Sequence, residues 1–307
     1  MPHPVPAPSM TTVGHLLPNL LLAGVTHAGA TALASALARH PEVKLPAVRR
    51  VDHYSPMRFG HPVQATLADY DRHFATWRGQ RYRLERSPVY FDGGRELIER
   101  VARDLPGVRV LIVLRDPAER MWVSYQDKVS RGRLPRAMSY ETYVEHCLTL
   151  RGNDADRFEG NRYFRTLSSG VYLDHLEGWL EAFGERVRVV FAENLDLPGS
   201  STVDEVHTWL GLDPNARAPR GGSAVTSDAP EPAWLETFES DGGRRLWSSL
   251  AGSVELVRRV ARIRLPRQSD RLRGRLERFY AGPNQRLAVR LREAGYRDLP
   301  AWLDAAA

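Results

Sequence analysis

The stretch Leu20–His40, LLLAGVTHAGATALASALARH, constrains this chain more than any other. Leu20 to Ala23 form a short unbroken apolar run, the pattern of a strand buried on both faces. Gly24 interrupts the run and Gly29 sits in a turn of small residues. From about Thr31, Leu33 and Leu37 with the alanines around them fit a helix. Strand, glycine-bearing turn and helix start together make an anion site. The turn aims backbone N–H groups at a phosphate, and the helix dipole adds partial positive charge. No Gly-Lys-Ser/Thr follows, so the stretch is not the ATP-type phosphate loop. A purely structural strand–turn–helix is the alternative that the rest of the chain has to decide.

The alternation of strand and helix recurs downstream. Gly93 to Leu105 reads as an amphipathic helix, with Leu97, Ile98, Val101 and Leu105 on one face. VRVLIVL, 108 to 114, is the clearest buried strand and runs straight into RDPAERMWVSYQ, where Pro117 suits a first helical turn. Residues 139 to 148 read as a helix. Gly170 to Phe183 reads as another, striped by Leu173, Leu176, Leu180 and Phe183. VRVVF, 187 to 191, is a strand, and Ser201 to Leu210 a capped helix ended by Gly211. Between the first helix and RYRLERSPVYF, itself a short strand and turn, LPAVRRVDHYSPMRFGHP is irregular, as functional loops often are. Residues 153 to 165 are polar and read as a mobile cover, 219 to 232 as a Gly/Pro/Ser-rich loop, and two helices close the chain. The fold class is α/β, a parallel sheet flanked by helices with a helical C-terminal part. The expected organisation is a disordered leader, 1–17, and one α/β domain, 18–307, without internal repeats.

The Pro-rich start MPHPVPAPSMTT lacks an apolar signal core, and the 307 residues contain no apolar run of about 18. These features predict a cytoplasmic protein that does not meet a membrane. Cys147 is the single cysteine, so neither an internal disulfide nor a cysteine-based metal site can form. Its place in YETYVEHCLTL predicts a buried structural thiol. The formal net charge is +6, lysine occurs only at 44 and 128, and nine arginines fall between Arg258 and Arg278. That balance suits a polyanionic ligand or an acidic acceptor, with a solvated helix face as the plain alternative. Nucleic acid is disfavoured, because no aromatics interleave the basic cluster.

Four segments in order resemble the sulfotransferases that use 3′-phosphoadenosine-5′-phosphosulfate (PAPS), especially their bacterial and heparan-sulfate branch. GVTHAGATAL is similar to that family's 5′-phosphosulfate loop, and VLIVLRDPAERMWVSY to its 3′-phosphate strand and helix. SGVYLDHLEGWLEAF resembles its Ser-Gly-x-Tyr helix, and LERFYAGPNQRLAVRL its Tyr-x-x-x-Asn-x-x-Leu helix. The match runs over roughly residues 19 to 295.

Sulfuryl transfer has simple needs. The acceptor oxygen or nitrogen must lose a proton to a base, the departing oxygen must meet a cation or N–H donors, and the 3′-phosphate must be gripped. The resemblance implies that Gly24, Thr26, His27, Ala28, Gly29, Ala30 and Thr31 hold the phosphosulfate. It implies that Arg115, with Ser124, holds the 3′-phosphate, and that PAPS or its product 3′-phosphoadenosine-5′-phosphate (PAP) is bound without a metal. Arg220, with Gly221 and Gly222, is a candidate phosphate-contacting loop or a linker. Arg86 falls where the family has a lysine near the acceptor, and Glu85 is placed to orient it or to act as a base; Arg50 is a second candidate acceptor contact.

Three departures from the family pattern stand out. His27 replaces the loop lysine, and its ordinary pKa near 6.5 allows it to act as a cation or an acid. Arg50 occupies the position of the family's catalytic glutamate, which leaves Asp52 or His53 as the nearby base. Val123 stands at the family's serine, and Ser124 lies one residue on, about 100° around a helix. The expected function is sulfation of a hydroxyl or amine on a small molecule, in secondary metabolism. Two alternatives stay open: a catalytically lost relative acting as the protein partner of another enzyme, and sulfation that creates a leaving group for ring closure.

Overall fold

The computed structural model describes residues 16–48, 50–151, 161–195, 200–216 and 270–304. These fall into two compact units, one within Met1–Arg115 and Leu176–Pro232, the other within Asp116–His175 and Ala233–Ala307.

The first unit is built on a sheet of five strands: β1 Leu20–Gly24, β2 Val43–Lys44, β3 Tyr82–Arg86, β4 Arg109–Leu114 and β5 Val187–Phe191. Every pairing is parallel, and the strand order is β2-β3-β1-β4-β5. All residues of β1, β3 and β4 are buried, which is why β1 and β4 read as unbroken apolar runs rather than alternating ones. Parallel strands require crossovers, and the helices that follow them in the chain are α1 Ala30–Leu37, α2 Leu67–Arg72, α3 Arg95–Asp104, and, after the second unit's first segment, α7 Ala192–Leu195 and α8 Thr202–Leu210. The chain leaves β1 towards β2 on one side and leaves β4 towards β5 on the other. The carboxyl ends of β1 and β4 therefore flank the switch point, where open α/β sheets bind ligands.

Expected and observed elements agree for β1, α1, α3, β4 and β5 to within about two residues, the usual scatter of element ends. The predicted face of α3 is the buried one: Leu97, Ile98 and Val101 are at most 5% exposed, and Leu105 just beyond the helix is buried too. Two details differ. The two-residue strand β2 and the helix α2 lie in sequence that carries little apolar periodicity; α2 is marked instead by a capping box, with Thr66 Oγ1 accepting from Asp69 N and Asp69 Oδ2 accepting from Thr66 N. Ser201 precedes α8 but does not cap it through its side chain, which donates to Glu205 Oε1 instead; Gly211 at φ 70 does end the helix. The predicted Gly/Pro/Ser loop with Arg220, 219–232, lies outside the described residues.

The second unit is helical: α4 Pro117–Ser130, α5 Tyr140–Leu150 and, near the end of the chain, α9 Asp270–Glu293 and α10 Ala301–Asp304. Its core joins Met121, Tyr143, Val144, Leu167, Leu276 and Tyr280, and Cys147 lies inside it as a buried thiol. The helix α6, Leu173–Phe183, which from Leu176 on belongs to the first unit, starts three residues later than Gly170, which sits in a 3-10 turn at Ser168–Gly170. Its buried stripe is Leu176, Trp179 and Phe183, whereas Leu173 and Leu180 are half-buried. Trp179 takes the inner place because its indole N–H donates to the Phe91 carbonyl at 3.1 Å, so both its ring and its polar atom are satisfied inside.

Residues 1–15 of the expected leader and residues 153–160 of the expected polar cover, 153–165, lie outside the described residues. Leu17 is buried, and its carbonyl accepts from Arg83 Nε at 2.6 Å. Among the described residues no helix is long and apolar enough to cross a membrane.

Candidate active site

Gly24 ends β1 under a close constraint. A Cβ there would stand 2.5 Å from Phe91 Cβ, so no larger residue fits without displacing the turn after β3. The register between β1 and β4 also slips at this point: Leu22 lies opposite Leu111, but Gly24 opposite Ile112. Such an irregularity turns the chain out of the sheet. The Val25 amide still bonds to Val113 O at 2.9 Å, and Ala28 N closes a turn on Val25 O at 3.2 Å. His27 adopts φ 65 and Gly29 φ 97, both left-handed, and Gly29 is the N-cap of α1. Leu33 N is the amide that bonds back to Gly29 O, at 3.2 Å. The amides of Ala30, Thr31 and Ala32 precede it and have no intrahelical acceptor, as in any first helical turn. With no acidic residue in that turn, the helix end keeps its positive character. Thr26 and His27 are half-buried, Ala28 and Ala30 buried, and Thr31 exposed.

Arg86 ends β3, beside β1, and its Nη1 donates to Thr31 Oγ1 at 3.0 Å. The guanidinium is thus fixed against the start of α1, and a cavity opens beside it, bounded by Thr31, Ala34, Ser35, Leu45 and Pro46. Arg115 follows β4 and is half-buried. The loop, Thr31, Arg86 and Arg115 therefore collect at the carboxyl ends of three neighbouring strands.

The base candidates lie in the irregular segment after β2. Asp52 is fully buried and, unusually for a non-glycine residue, sits at φ 53. Arg50 Nη2 approaches its Oδ2 to 2.7 Å as an ion pair without hydrogen-bond alignment. Among the described residues neither carboxylate oxygen accepts a hydrogen bond. His53 stacks on Tyr70 with ring centroids 4.2 Å apart and the planes 6° from parallel, and meets Tyr54 edge-on. Burial pulls its imidazole down to about 4, with Asp104 partly opposing. At neutral pH it is therefore uncharged and a weak proton acceptor.

Beneath this segment lies a group that the sequence marked only loosely. Glu85 of β3 is fully buried; its Oε1 accepts from Ser87 Oγ at 2.5 Å and Tyr90 Oη at 2.8 Å, and its Oε2 from Tyr70 Oη. Burial pushes its carboxyl up to about 7, against the three hydroxyls, which favour the ionised form. Glu85 and Arg86 alternate across the strand, so the carboxylate faces away from Arg86 and does not orient it.

Ser124 belongs to the second unit. It is 1% exposed, and its hydroxyl lies 3.0 Å from Thr166 Oγ1. Thr166 Oγ1 also accepts from Lys128 Nζ at 2.5 Å and Tyr143 Oη at 2.8 Å. The neighbouring Arg120, fully buried, donates to Thr166 O and Ser169 Oγ and covers the Tyr172 ring. Ser169, Gly170 and Tyr172 of the expected Ser-Gly-x-Tyr segment therefore serve packing. Gly170 is required there, because a Cβ would stand 2.6 Å from Tyr280 Oη. Tyr280, Asn284 and Leu287 occupy one buried face of α9. Asp116 caps α4 through Ala118 N and Glu119 N and lies 3.7 Å from Arg273 Nη2.

Comparison with known proteins follows the same lines. No family model matches the chain. It is 26% identical over 214 residues to a bifunctional heparan sulfate N-deacetylase/N-sulfotransferase 1 of Caenorhabditis briggsae, covering 67% of this chain and 24% of that protein. It is 29% identical over 198 residues to the mouse heparan sulfate glucosamine 3-O-sulfotransferase 3B1, covering 64% of this chain and 46% of the relative. The chain thus spans between a quarter and a half of these relatives' lengths. A solved sulfotransferase from Alicyclobacillus acidocaldarius superposes with a TM-score of 0.64 at 21% identity, over 93% of this chain and 98% of the other, which shows a common fold. The chain is thus similar in sequence to both N- and O-sulfotransferases and shares the fold of a solved sulfotransferase.

Proposed function

We propose that this protein transfers a sulfuryl group from PAPS to a hydroxyl or amine of a small molecule, in secondary metabolism. The observation that carries the reading is the glycine-bounded loop from β1 to α1 at the sheet's switch point, with Arg86 fixed on Thr31 and Arg115 at the adjacent strand end. The donor set fits an anionic nucleotide: first-turn amides, a hydroxyl and two guanidiniums, with Gly24 packed so closely that a side chain there would push the loop away. PAPS, when bound, supplies the activated sulfuryl group.

The roles of the chain's own groups follow from where they stand. Residues Gly24 to Thr31 hold the phosphosulfate through backbone N–H groups, and His27, in the place of the family's lysine, meets the departing oxygen. Arg115 grips the 3′-phosphate. Arg86, held by Thr31, directs the acceptor in the cavity beside α1. Asp52 takes the proton from the acceptor: among the described residues its carboxylate oxygens accept no hydrogen bond, whereas His53 is held uncharged between two tyrosine rings. Arg50 pairs with Asp52 and keeps it in place between turnovers. The cavity lined by Thr31, Ser35, Leu45, Pro46 and Arg86 is where we place the acceptor. A glucosaminyl polysaccharide is the second reading, favoured by the relatives named for heparan sulfate.

The test offers labelled PAPS to the purified chain with extracts of its producing cells in one arm and N-desulfated heparan in the other. Label in a small molecule, lost in Arg115→Ala, supports the first reading; label in the polysaccharide supports the second. No transfer, together with no heat of binding for PAP and a second protein co-purifying in equal amount, overturns both in favour of a partner subunit.

A further inference from the structure

We infer that Glu85 is a positioning residue for the segment Asp52–Tyr54 and acts on it through the hydroxyls of Ser87 and Tyr90. The inference rests on Asp52 being the proton acceptor of the proposed reaction.

The segment is fixed by three backbone donors. Asp52 N donates to Ser87 Oγ at 3.0 Å, Tyr54 N to Tyr90 Oη at 3.0 Å, and Ser55 N to Asp52 O at 3.0 Å. The first two acceptors are hydroxyls, and each hydroxyl has a single proton. In both cases that proton goes to Glu85 Oε1, at 2.5 Å from Ser87 Oγ and 2.8 Å from Tyr90 Oη. Each hydroxyl therefore presents a lone pair to a backbone N–H only while the carboxyl oxygen behind it receives its proton. One buried oxygen thus sets the orientation of two hydroxyls, and the two hydroxyls set the backbone at two positions that bracket His53.

This arrangement accounts for a feature the reaction needs. A buried non-glycine residue in the left-handed region is strained, and such strain persists only where the surroundings over-determine the backbone. Asp52 at φ 53 is held from both sides, by its own amide on Ser87 and by its carbonyl on Ser55 N. Without that hold, the carboxylate would relax away from Arg50 and the acceptor side. The charged and titratable groups around Glu85 are Tyr70 from α2, Tyr90 from the turn after β3, and Asp52 and Tyr54 from the segment itself. Tyr70 closes the other carboxyl oxygen and carries His53 on its ring. The sequence spacing Glu-x-Ser-x-x-Tyr, residues 85, 87 and 90, places Glu85 and both relay hydroxyls within six residues.

Residue-resolved amide exchange on the full chain tests the inference independently of turnover. Ser87→Ala should speed exchange of the Asp52 amide about tenfold, the loss of one hydrogen bond, and leave Tyr54 as in the wild type. Tyr90→Phe should do the reverse. Glu85→Gln, which keeps an acceptor oxygen towards both hydroxyls, should retain both protections, and Glu85→Ala should lose both. The amides of Leu111 and Val113 in β4 serve as the reference that a general loss of stability would also move. If Glu85→Ala does not fold, the two single relay variants decide alone. In transfer assays Ser87→Ala should lower kcat and leave the KM for PAPS unchanged. Exchange that rises uniformly, β4 included, or that stays at wild-type rates in both relay variants, overturns the inference, whatever the activity. A selective pattern in a chain that transfers no sulfuryl group confirms the hold of Glu85 on the segment and overturns the proposed reaction instead.

Discussion

Two buried polar clusters of opposite sign show how the same physics serves different ends in this molecule. In the sheet unit, the Glu85 carboxyl is ringed by three hydroxyl donors, Tyr70, Ser87 and Tyr90. In the helical unit, the Lys128 ammonium is ringed by three acceptors: Tyr143 Oη, Tyr163 O and Thr166 Oγ1. Each buried charge-bearing group is satisfied locally, as burial requires. The Lys128 ring closes on itself, since Tyr143 Oη, which accepts from Lys128 Nζ, donates to Thr166 Oγ1 and lies 3.1 Å from Tyr163 O. The Glu85 ring opens outward, because two of its hydroxyls accept backbone N–H groups of the segment that carries Asp52 and His53. A closed ring contributes specificity to a core. An open one transmits its geometry to neighbouring backbone.

The comparison makes graded predictions. The largest effect belongs to the group the open ring serves: Asp52→Asn should lower kcat about 10²–10⁴-fold, the usual share of a general base, with PAP affinity unchanged by calorimetry. Unchanged kcat would remove Asp52 from the chemistry and with it the reason for the ring to open. Next, Thr166→Val is nearly isosteric and takes one partner each from Lys128, Tyr143 and Ser124. Urea unfolding should show a loss on the order of 3 kcal/mol, without the selective change at Asp52 and Tyr54 seen on cutting the other ring. Third, Arg115→Ala should weaken PAP binding by about 1.5–3 kcal/mol, the worth of a charge-assisted contact, whereas Ser124→Ala should cost about 1 kcal/mol of stability and leave PAP affinity alone. Equal losses of affinity would show that Ser124 reaches the nucleotide despite its burial.

The smallest effect is a pH dependence. Glu85 has a raised folded pKa, so the folded state holds the extra proton between about 4.5 and about 7, and this group's contribution to stability is lost as pH rises through that window. His53 has a lowered one, so its contribution is lost as pH falls from 6.5 towards about 4. The two slopes oppose each other where the windows overlap. Glu85→Gln should unmask the His53 slope, so that Tm rises more steeply from pH 5 to 6.5 in the variant than in the wild type. Parallel curves would mean that Glu85 titrates near its ordinary value.

Much of the scaffold is legible in residue order. The apolar runs at 20–23 and 110–114 read as strands covered on both faces, and the 3.6-residue stripe of Leu97, Ile98 and Val101 as one side of a helix. The loop with Gly24 and Gly29 was readable for the same reason, since close approach and positive φ leave glycine as the residue that fits. Other parts were not. Ser124 looks available on a helix, and only the approach of Thr166, more than forty residues on, shows that its hydroxyl faces inward. His53 is an unexceptional loop histidine until Tyr70 stacks on it and burial removes its charge. In Glu85-x-Ser87-x-x-Tyr90 a signal was present, polar residues clustered at the end of a strand otherwise buried, but the partners at 52 and 54 carry no side-chain pattern because the contacts are through backbone N–H groups.

What the sequence by itself determined is the local conformational menu and the fold class that follows from it: four of the five strands and most of their helices, a glycine-bounded turn ahead of a helix start, and arginines at strand ends. These depend on sterics and on hydrophobic period, which act between near neighbours along the chain. The tertiary structure alone decided which polar atoms meet. Whether Glu85 faces Arg86 or three hydroxyls, whether Ser124 points inward, and whether Asp52 can be held at φ 53 are settled by groups far apart in sequence. The reason is that hydrogen bonds depend on distances of a few tenths of an ångström and on direction, and only a packed interior fixes those.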